Sequence, residues 1–393
     1  YAGTGGVTLD SLIKRIFYSW KFRDINIFIS GEITSESKIQ YQRNILDRVE
    51  KLVPYLELDS DPYVVITDGK LKWIQDAYTV SANYPYSEPS NNGYNYWRNS
   101  VKAVIDAYDG TVEFYISDNS DPLIDTYSKI FPNVFKPISE MPSGLKDHIR
   151  YPIDLFKVQS EKYLEYHMQD SQIFYNNEDL WNIPKEKFGQ SGELQNVEPY
   201  YIVMNLPGND DSEFVLIRPF TPNQRKNLIG WLAGRSDGDQ YGKLIAYNFP
   251  KDLTIYGTEQ IEARMDNDPI ISEWFTLRCQ EGSFCIRGNL LVVPIGDTIL
   301  YVEPIYLQAE GVDLPELKKV VLASADHVIM ADSVKEGVSI LLEKQAGIYN
   351  KNDKVLEDKE TKQESIDDDL DEKIEKLLEE IQNILNEVRK ANK

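Results

Sequence analysis

The apolar residues of this chain come in short packets. The richest runs, such as Asn289–Ile295, are strand-length and broken by proline or glycine, and none approaches the ~20 consecutive apolar residues that a membrane span requires. A chain patterned this way must fold from many short elements. With 393 residues it also exceeds the size at which one hydrophobic core keeps growing, and its 41% apolar content is ample for more than one. Runs of helical period and runs of strand character alternate irregularly, which predicts an α+β class with two mixed domains followed by a C-terminal amphipathic helix.

The first period is Thr8–Trp20, where Leu9, Leu12, Ile13, Ile16, Phe17 and Trp20 share a helical face and Lys14, Arg15 and Lys21 lie off it. Such a stripe ordinarily docks on a core. A second helix is expected over about Ser37–Leu52, stopped by Pro54, then a strand at Pro62–Asp68 with Asp68-Gly69 as a hairpin turn into Lys70–Tyr78. The tyrosine-rich stretch Tyr84–Tyr96 lacks a period and reads as an ordered loop. From Trp97, the spacing of Val101, Val104, Ile105 and Tyr108 predicts a helix, with Asp109-Gly110 turning it into a strand at Thr111–Ser117.

Pro152 suits the first turn of a helix over Tyr151–Gln169. The polar, glycine-bearing stretch Pro184–Pro199 places the domain boundary near residue 190, giving domains at 1–190 and 191–349. Strands are expected at Tyr200–Leu206 and Glu213–Arg218. Thr221 with Gln224 forms a capping box before a helix that Gly234 closes, and further strands follow at Lys243–Phe249, Ile271–Cys279, Ser283–Ile286, Asn289–Ile295 and Thr298–Leu307. Ser333 with Glu336 caps a helix carrying Val334, Val338, Leu341 and Leu342. A charged linker at 350–364 leads to a helix at 365–393, where Leu370, Ile374, Leu377, Ile381, Ile384 and Val388 repeat in steps of four and three. That seam can self-associate or dock on the body.

The net charge is −22, and the segment from Lys351 on, with nine basic and fourteen acidic residues, accounts for only a small part of it. A generally acidic body repels phosphate backbones, so no nucleic-acid partner is expected, while cationic ligands remain open. The chain begins with tyrosine and shows neither a basic leader nor an apolar signal core, so the natural start is expected upstream.

Motifs of established mechanism are missing: no Gly-x-Ser-x-Gly elbow, no His-Glu-x-x-His, no paired Cys-x-x-Cys and no Walker loop. No cofactor is expected. His167 falls on the apolar stripe of its helix and reads as a satisfied core histidine. His148 and Arg150 stand at a helix entrance, where backbone N–H groups point outward; they can form an anion site, or Arg150 can lock two elements against a carboxylate. Among the acidic pairs Asp59/Asp61, Asp118/Asp121, Asp210/Asp211 and Asp237/Asp239, the last is the best calcium candidate, because Gly238 allows a tight turn of carbonyls, although capping and solvation explain such pairs equally well. Tyr84, Tyr86, Tyr94 and Tyr96 can present a face to glycan or peptide or pack on their own domain. If Glu281-Gly282-Ser283 is a three-residue hairpin loop, Cys279 lies opposite Cys285, either bridged or as two free thiols on one face.

Phrases along the chain resemble one known family. Asp147-His148-Ile149-Arg150-Tyr151-Pro152-Ile153-Asp154-Leu155-Phe156, Tyr63-Val64-Val65-Ile66-Thr67-Asp68-Gly69, the run Asn99–Gly110 and Arg287-Gly288-Asn289-Leu290-Leu291-Val292-Val293-Pro294-Ile295 are similar to the uncharacterised protein family 0182, a likeness reaching to about Leu342. The family usually has proline at the position of Thr258 and lacks cysteine around 279–285. Its members are large bacterial membrane proteins with N-terminal transmembrane helices and a soluble region outside the cell, without established catalytic residues. The resemblance implies that this chain is that soluble region, on the extracellular side of the cell membrane. Its partner would be its own transmembrane part, the helix at Thr8–Trp20 would lie beside the membrane, and its role would be binding or interaction with an envelope protein or glycan. The competing class is an envelope hydrolase using two carboxylates, whose separation a sequence does not show.

Overall fold

In the computed structural model, which describes residues 1–208, 211–250, 252–279, 282–295 and 298–345, the chain divides into two units, Tyr1–Leu155 and Phe156 onward. The division falls inside helix 153–166. The expected boundary stretch is instead a two-stranded ribbon, Lys185–Phe188 with Glu193–Asn196, within the second unit. The linker at 350–364 and the heptad helix at 365–393 lie outside the described residues.

The first unit opens with strand β1 (Val7–Thr8), helix α1 (Leu12–Phe22) and the short helix α2 (Asn26–Ile29). Strand β2 (Lys38–Ile39) pairs with β1, so the second helix does not begin at Ser37; α3 (Ile45–Leu52) starts where Asn44 accepts the Asp47 N–H. The main sheet runs β3 (Glu57–Leu58), β5 (Lys70–Ser81), β6 (Tyr96–Asp106), β7 (Val112–Ile116) and β8 (Phe135–Pro137), with β4 (Tyr63–Thr67) on the outer part of β5. Asp68 and Gly69, both at positive φ, make the two-residue turn between β4 and β5. The helix expected from Trp97 is a correction: β6 is a central strand with Ser100 through Ile105 buried consecutively. A strand covered on both faces loses its alternation, and its apolar spacing then imitates a helix. One face packs Ala77, Val101, Ala103 and Ile105 against α3 and α4 (Pro122–Ile130). The other packs Ile74, Val104 and Tyr115 against Met141 and Leu145, the latter on the single turn α5 (Ser143–Lys146). Helix α6 is Ile153–Tyr166.

The second unit continues with α7 (Ser171–Asn176), β9 (Trp181–Asn182), the ribbon β10 (Lys185–Phe188) and β11 (Glu193–Asn196), then a sheet of β12 (Tyr200–Asn205), β13 (Ser212–Pro222), β14 (Gly230–Arg235) and β15 (Leu244–Asn248), with β9 on the end of β13. Here too a predicted helix is corrected: Thr221 and Pro222 end β13 opposite Asn182 and Trp181, and Trp231 and Leu232 sit in a buried strand. Helices α8 (Thr258–Asn267) and α9 (Pro269–Arg278) follow, so the strand expected at Ile271–Cys279 is a helix. Asp268 caps it, accepting from the Ile270 and Ile271 N–H groups, and Pro269 takes the first position.

The last sheet orders β16 (Ser283–Arg287), β18 (Thr298–Ala309), β19 (Glu316–Ala323) and β20 (Val328–Ala331), with β17 (Leu291–Ile295) also on β18. Its Val293, Leu300, Val302, Val320 and Leu322 pack with Ile202, Val215, Ile217 and Trp231 of the other sheet and with Val334, Val338 and Leu341 of α10 (Val334–Gln345). Its opposite face carries Val292, Ile299, Tyr301, Ile305 and Val321 onto Ile261 and Met265 of α8 and Ile271 of α9. Burial on both faces explains why this sheet reads as continuous apolar runs. The cap on α10 is formed as its sequence predicts, Ser333 accepting the Glu336 N–H while Glu336 accepts from Asp332 N–H.

Candidate functional site

Helix α1 is turned inside out. Ser11 caps it by accepting the Lys14 N–H, and Arg23 ends it in the left-handed region with its N–H directed to Ser19 and Trp20 carbonyls. Its buried residue is Ser19, whose hydroxyl donates to the Asp24 carbonyl, while Lys14, Arg15 and Tyr18 are half-buried. The apolar stripe faces away: Leu12, Ile13, Phe17 and Trp20 are 64%, 65%, 61% and 78% exposed, and Ile16 is exposed beside them. Ile25 and Ile29, at either end of α2, extend the patch. Leu9, expected on the same stripe, lies before the helix and is buried. Covering one such side chain is worth about 1.5–3 kcal/mol, so this patch forgoes a stabilisation that every other helix of comparable length in the unit takes. Beside the stripe lies a groove of about 710 Å³ lined by Val7, Phe17, Tyr18 and Trp20 together with Lys14, Lys21 and Arg23.

The structure gives His148 and Arg150 separate partners. His148 is exposed, with Nδ1 2.7 Å from the Gly144 carbonyl. Arg150 lies over the Tyr63 ring at 3.9 Å and donates to Asp61 Oδ2 at 2.5 Å, with its side chain 12% exposed. It locks the loop before β4 to the entry of α6. Next to it, buried Asp59 accepts from Tyr78 OH, the Asp61 N–H and the Asp154 N–H, and burial, reinforced by Asp76 and Asp154, pushes it up to about 7. Two sheet positions away, Lys102 is fully buried with its ammonium on Asp76. Asp121 caps α4 and also accepts from Thr79, Ser100 and Tyr96 hydroxyls, while Asp118 pairs with Arg98. The acidic pairs of this unit are thus internal fasteners.

Asp237 likewise serves structure, accepting the Phe214 N–H at 2.7 Å, while Asp239 lies in the exposed single turn after it. Among the described residues no three potential metal ligands converge there or elsewhere. Tyr84 stacks on Tyr96 and Tyr94 meets Trp97 edge-on, both partners at the start of β6, while Tyr84 and Tyr86 remain exposed. His167 stacks on Trp181 at 3.9 Å.

A second candidate, which the sequence did not single out, gathers carboxylates in the second unit. Glu186, Glu262 and Glu303 are fully buried on β10, α8 and β18. Glu186 accepts from Leu290 N–H at 2.7 Å and from Gln195 and Asn289 amides; Glu262 accepts from Lys187 N–H at 2.6 Å; Glu303 pairs with Arg287 at 2.7 Å, which also reaches Asp266. Burial pushes Glu186 up to about 7 and Glu262 up to about 8. Such acids can hold a proton at neutral pH. The adjoining groove, of about 360 Å³, is lined by the 189–192 turn, Phe275, Phe284, Asp266, Arg287 and the sulfurs' residues Cys279 and Cys285. Asp266, the carboxylate in this lining, is spent on Arg287 and Lys187. Cys279 and Cys285 form a disulfide that joins the end of α9 to β16, not two strands of a hairpin, since 269–278 is helical.

The fold and these surfaces define an acidic, disulfide-bearing α+β protein with an outward apolar helix in its first unit. The chain belongs to the uncharacterised protein family UPF0182, whose family model matches residues 1–278. It is 51% identical to a UPF0182 protein of Pelotomaculum thermopropionicum over 338 residues, covering 86% of this chain and 37% of the relative. It is 48% identical to one of Trichodesmium erythraeum over 360 residues, covering 87% and 39%, and 48% identical to one of Nostoc sp. over 352 residues, covering 87% and 35%. The chain thus spans well under half the length of these relatives. No solved structure matches it. No helix among the described residues is long and apolar enough to cross a membrane.

Proposed function

We propose that this chain is the extracytoplasmic region of a longer, membrane-anchored protein and that it works at the cell envelope by contact, not by catalysis. The observation that carries the reading is the outward stripe of α1, an apolar face that the unit itself leaves uncovered. The length of the relatives supports it, because most of their sequence lies outside the aligned region and can supply the cover. The hydrolase reading fares worse: a two-carboxylate mechanism needs both acids open to substrate, whereas Glu186, Glu262 and Glu303 are engaged by backbone, amide and guanidinium donors.

Two measurements on the full-length protein test this. Protease added to intact protoplasts should digest residues 1–345, and protection until lysis would refute the location. In hydroxyl-radical footprinting, Trp20 and Phe17 should be at least fivefold more protected in the membrane-embedded full-length protein than in this chain alone. Equal oxidation would leave α1 without a partner and sink the contact reading.

A further inference from the structure

The partner that the α1 face fits can be named by its chemistry. Resting on the contact reading above, we propose that the α1–α2 hairpin lies on a lipid bilayer and takes anionic headgroups into its basic-rimmed groove.

Charge sets this hairpin apart from the rest of the chain. The chain carries 64 acidic and 42 basic residues, yet α1 contains Lys14, Arg15 and Lys21 and no acid, and Arg23 closes it. Lys14 pairs with Asp10, but among the described residues Arg15, Lys21 and Arg23 form no ion pair with a carboxylate. An anionic surface repels the body of this protein and attracts this hairpin, so the field orients the molecule with α1 toward the membrane.

The shape of the patch agrees. Lys14, Lys21 and Arg23 line the same groove as Phe17, Tyr18 and Trp20, placing cations beside aromatic rings in the combination favoured at headgroup depth. Lys21 Nζ sits 4.3 Å from the centre of the Tyr41 ring, a cation–π contact. Leu12, Ile13, Ile16, Phe17 and Trp20 then face the acyl boundary. At 11 residues, α1 is ~16 Å long, about half the hydrocarbon thickness, so it can only lie in the interface plane. A protein partner would also cover apolar side chains, but it would have to carry its own acidic rim to match these cations, whereas an anionic bilayer supplies headgroup charge and an apolar layer together.

The test is co-sedimentation of this chain with vesicles of phosphatidylcholine alone or with one quarter phosphatidylglycerol, at low and at 0.5 M salt. Binding to the phosphatidylglycerol vesicles is expected, at least tenfold weaker to phosphatidylcholine alone and in high salt. Trp20→Glu and Lys21→Glu, both at exposed positions, should each weaken it at least tenfold without altering the melting temperature. Lack of binding to either vesicle, or binding that neither variant changes, overturns the proposal. So does a chain that forms dimers abolished by Trp20→Glu without binding vesicles, which would assign the face to a second copy. In those cases the footprinting above still decides, separately, whether α1 is a contact surface.

Discussion

Among the described residues Lys102 is far from the exposed surroundings a lysine ordinarily takes. It sits in the middle of β6, fully buried, with its ammonium on Asp76, which also accepts from the Asn99 amide at 3.1 Å. Moving an ammonium out of water costs several kcal/mol, and a partner recovers that only with good geometry. Removing one member alone is the worst case. Lys102→Met is therefore expected to destabilise the first unit by about 3–5 kcal/mol, because Asp76 stays buried and uncompensated, and adding Asp76→Asn should recover more than half of the loss. Urea unfolding of the single and double variants checks this, and a Lys102→Met chain as stable as the parent would overturn it. Arg150 belongs to the same kind of chemistry: the fold brings 61 and 63 to it, and its guanidinium spans the Asp61 carboxylate and the Tyr63 face.

At the scale of elements, what can be read from sequence depends on how many faces an element buries. α10 and the β4–β5 hairpin were legible because one has a cap and a single stripe and the other an Asp68-Gly69 turn. β6 and β14 were not, because strands covered on both sides have no alternation left to read. α9 failed for the opposite reason: Asp268-Pro269 is a sound start signal, but Ile270, Ile271 and Phe275 imitate a strand. The α1 stripe was legible as a pattern and misleading as a direction, since periodicity says which residues share a face and not what covers it. The buried glutamates went unseen because Glu186, Glu262 and Glu303 are 117 residues apart at the extremes and meet only through the tertiary packing of three elements. The start of α8 is packed closely against a neighbouring loop. Gly257 donates its N–H to Gln260, and a Cβ there would fall 1.7 Å from the Lys226 carbonyl oxygen, so the loop and helix could coexist only by separating. Gly257→Ala should cost roughly 3 kcal/mol and lower the melting temperature of the second unit, whereas an unchanged melting temperature would show that the 226–227 loop yields freely.

For the whole molecule, the distribution of protons sets how stability follows pH. Asp59 in the first unit and Glu186 and Glu262 in the second are raised to about 7, 7 and 8, chiefly by burial. In the unfolded chain the same groups release their protons near pH 4. The fold therefore binds more protons than the unfolded chain between about pH 4 and pH 8, and the stability these groups contribute is complete below pH 4 and lost as pH rises through their folded values. Asp118 and Asp121 run the other way, held low against burial by hydroxyl, N–H and guanidinium donors, but they matter only as pH falls below their unfolded value of about 4. Between pH 5 and 9 the raised groups govern, and the general charge of −22 adds repulsion of the same sign. Thermal melts at fixed ionic strength should show both units less stable at pH 9 than at pH 5.5. Glu262→Gln keeps an acceptor for the Lys187 N–H while removing the ionisation, so it should flatten the dependence of the second unit by a few kcal/mol and leave the first unit's slope intact. A parent protein whose melting temperature rises from pH 5.5 to pH 9 would mean that these carboxylates are ionised in the fold, with water or an ion reaching them.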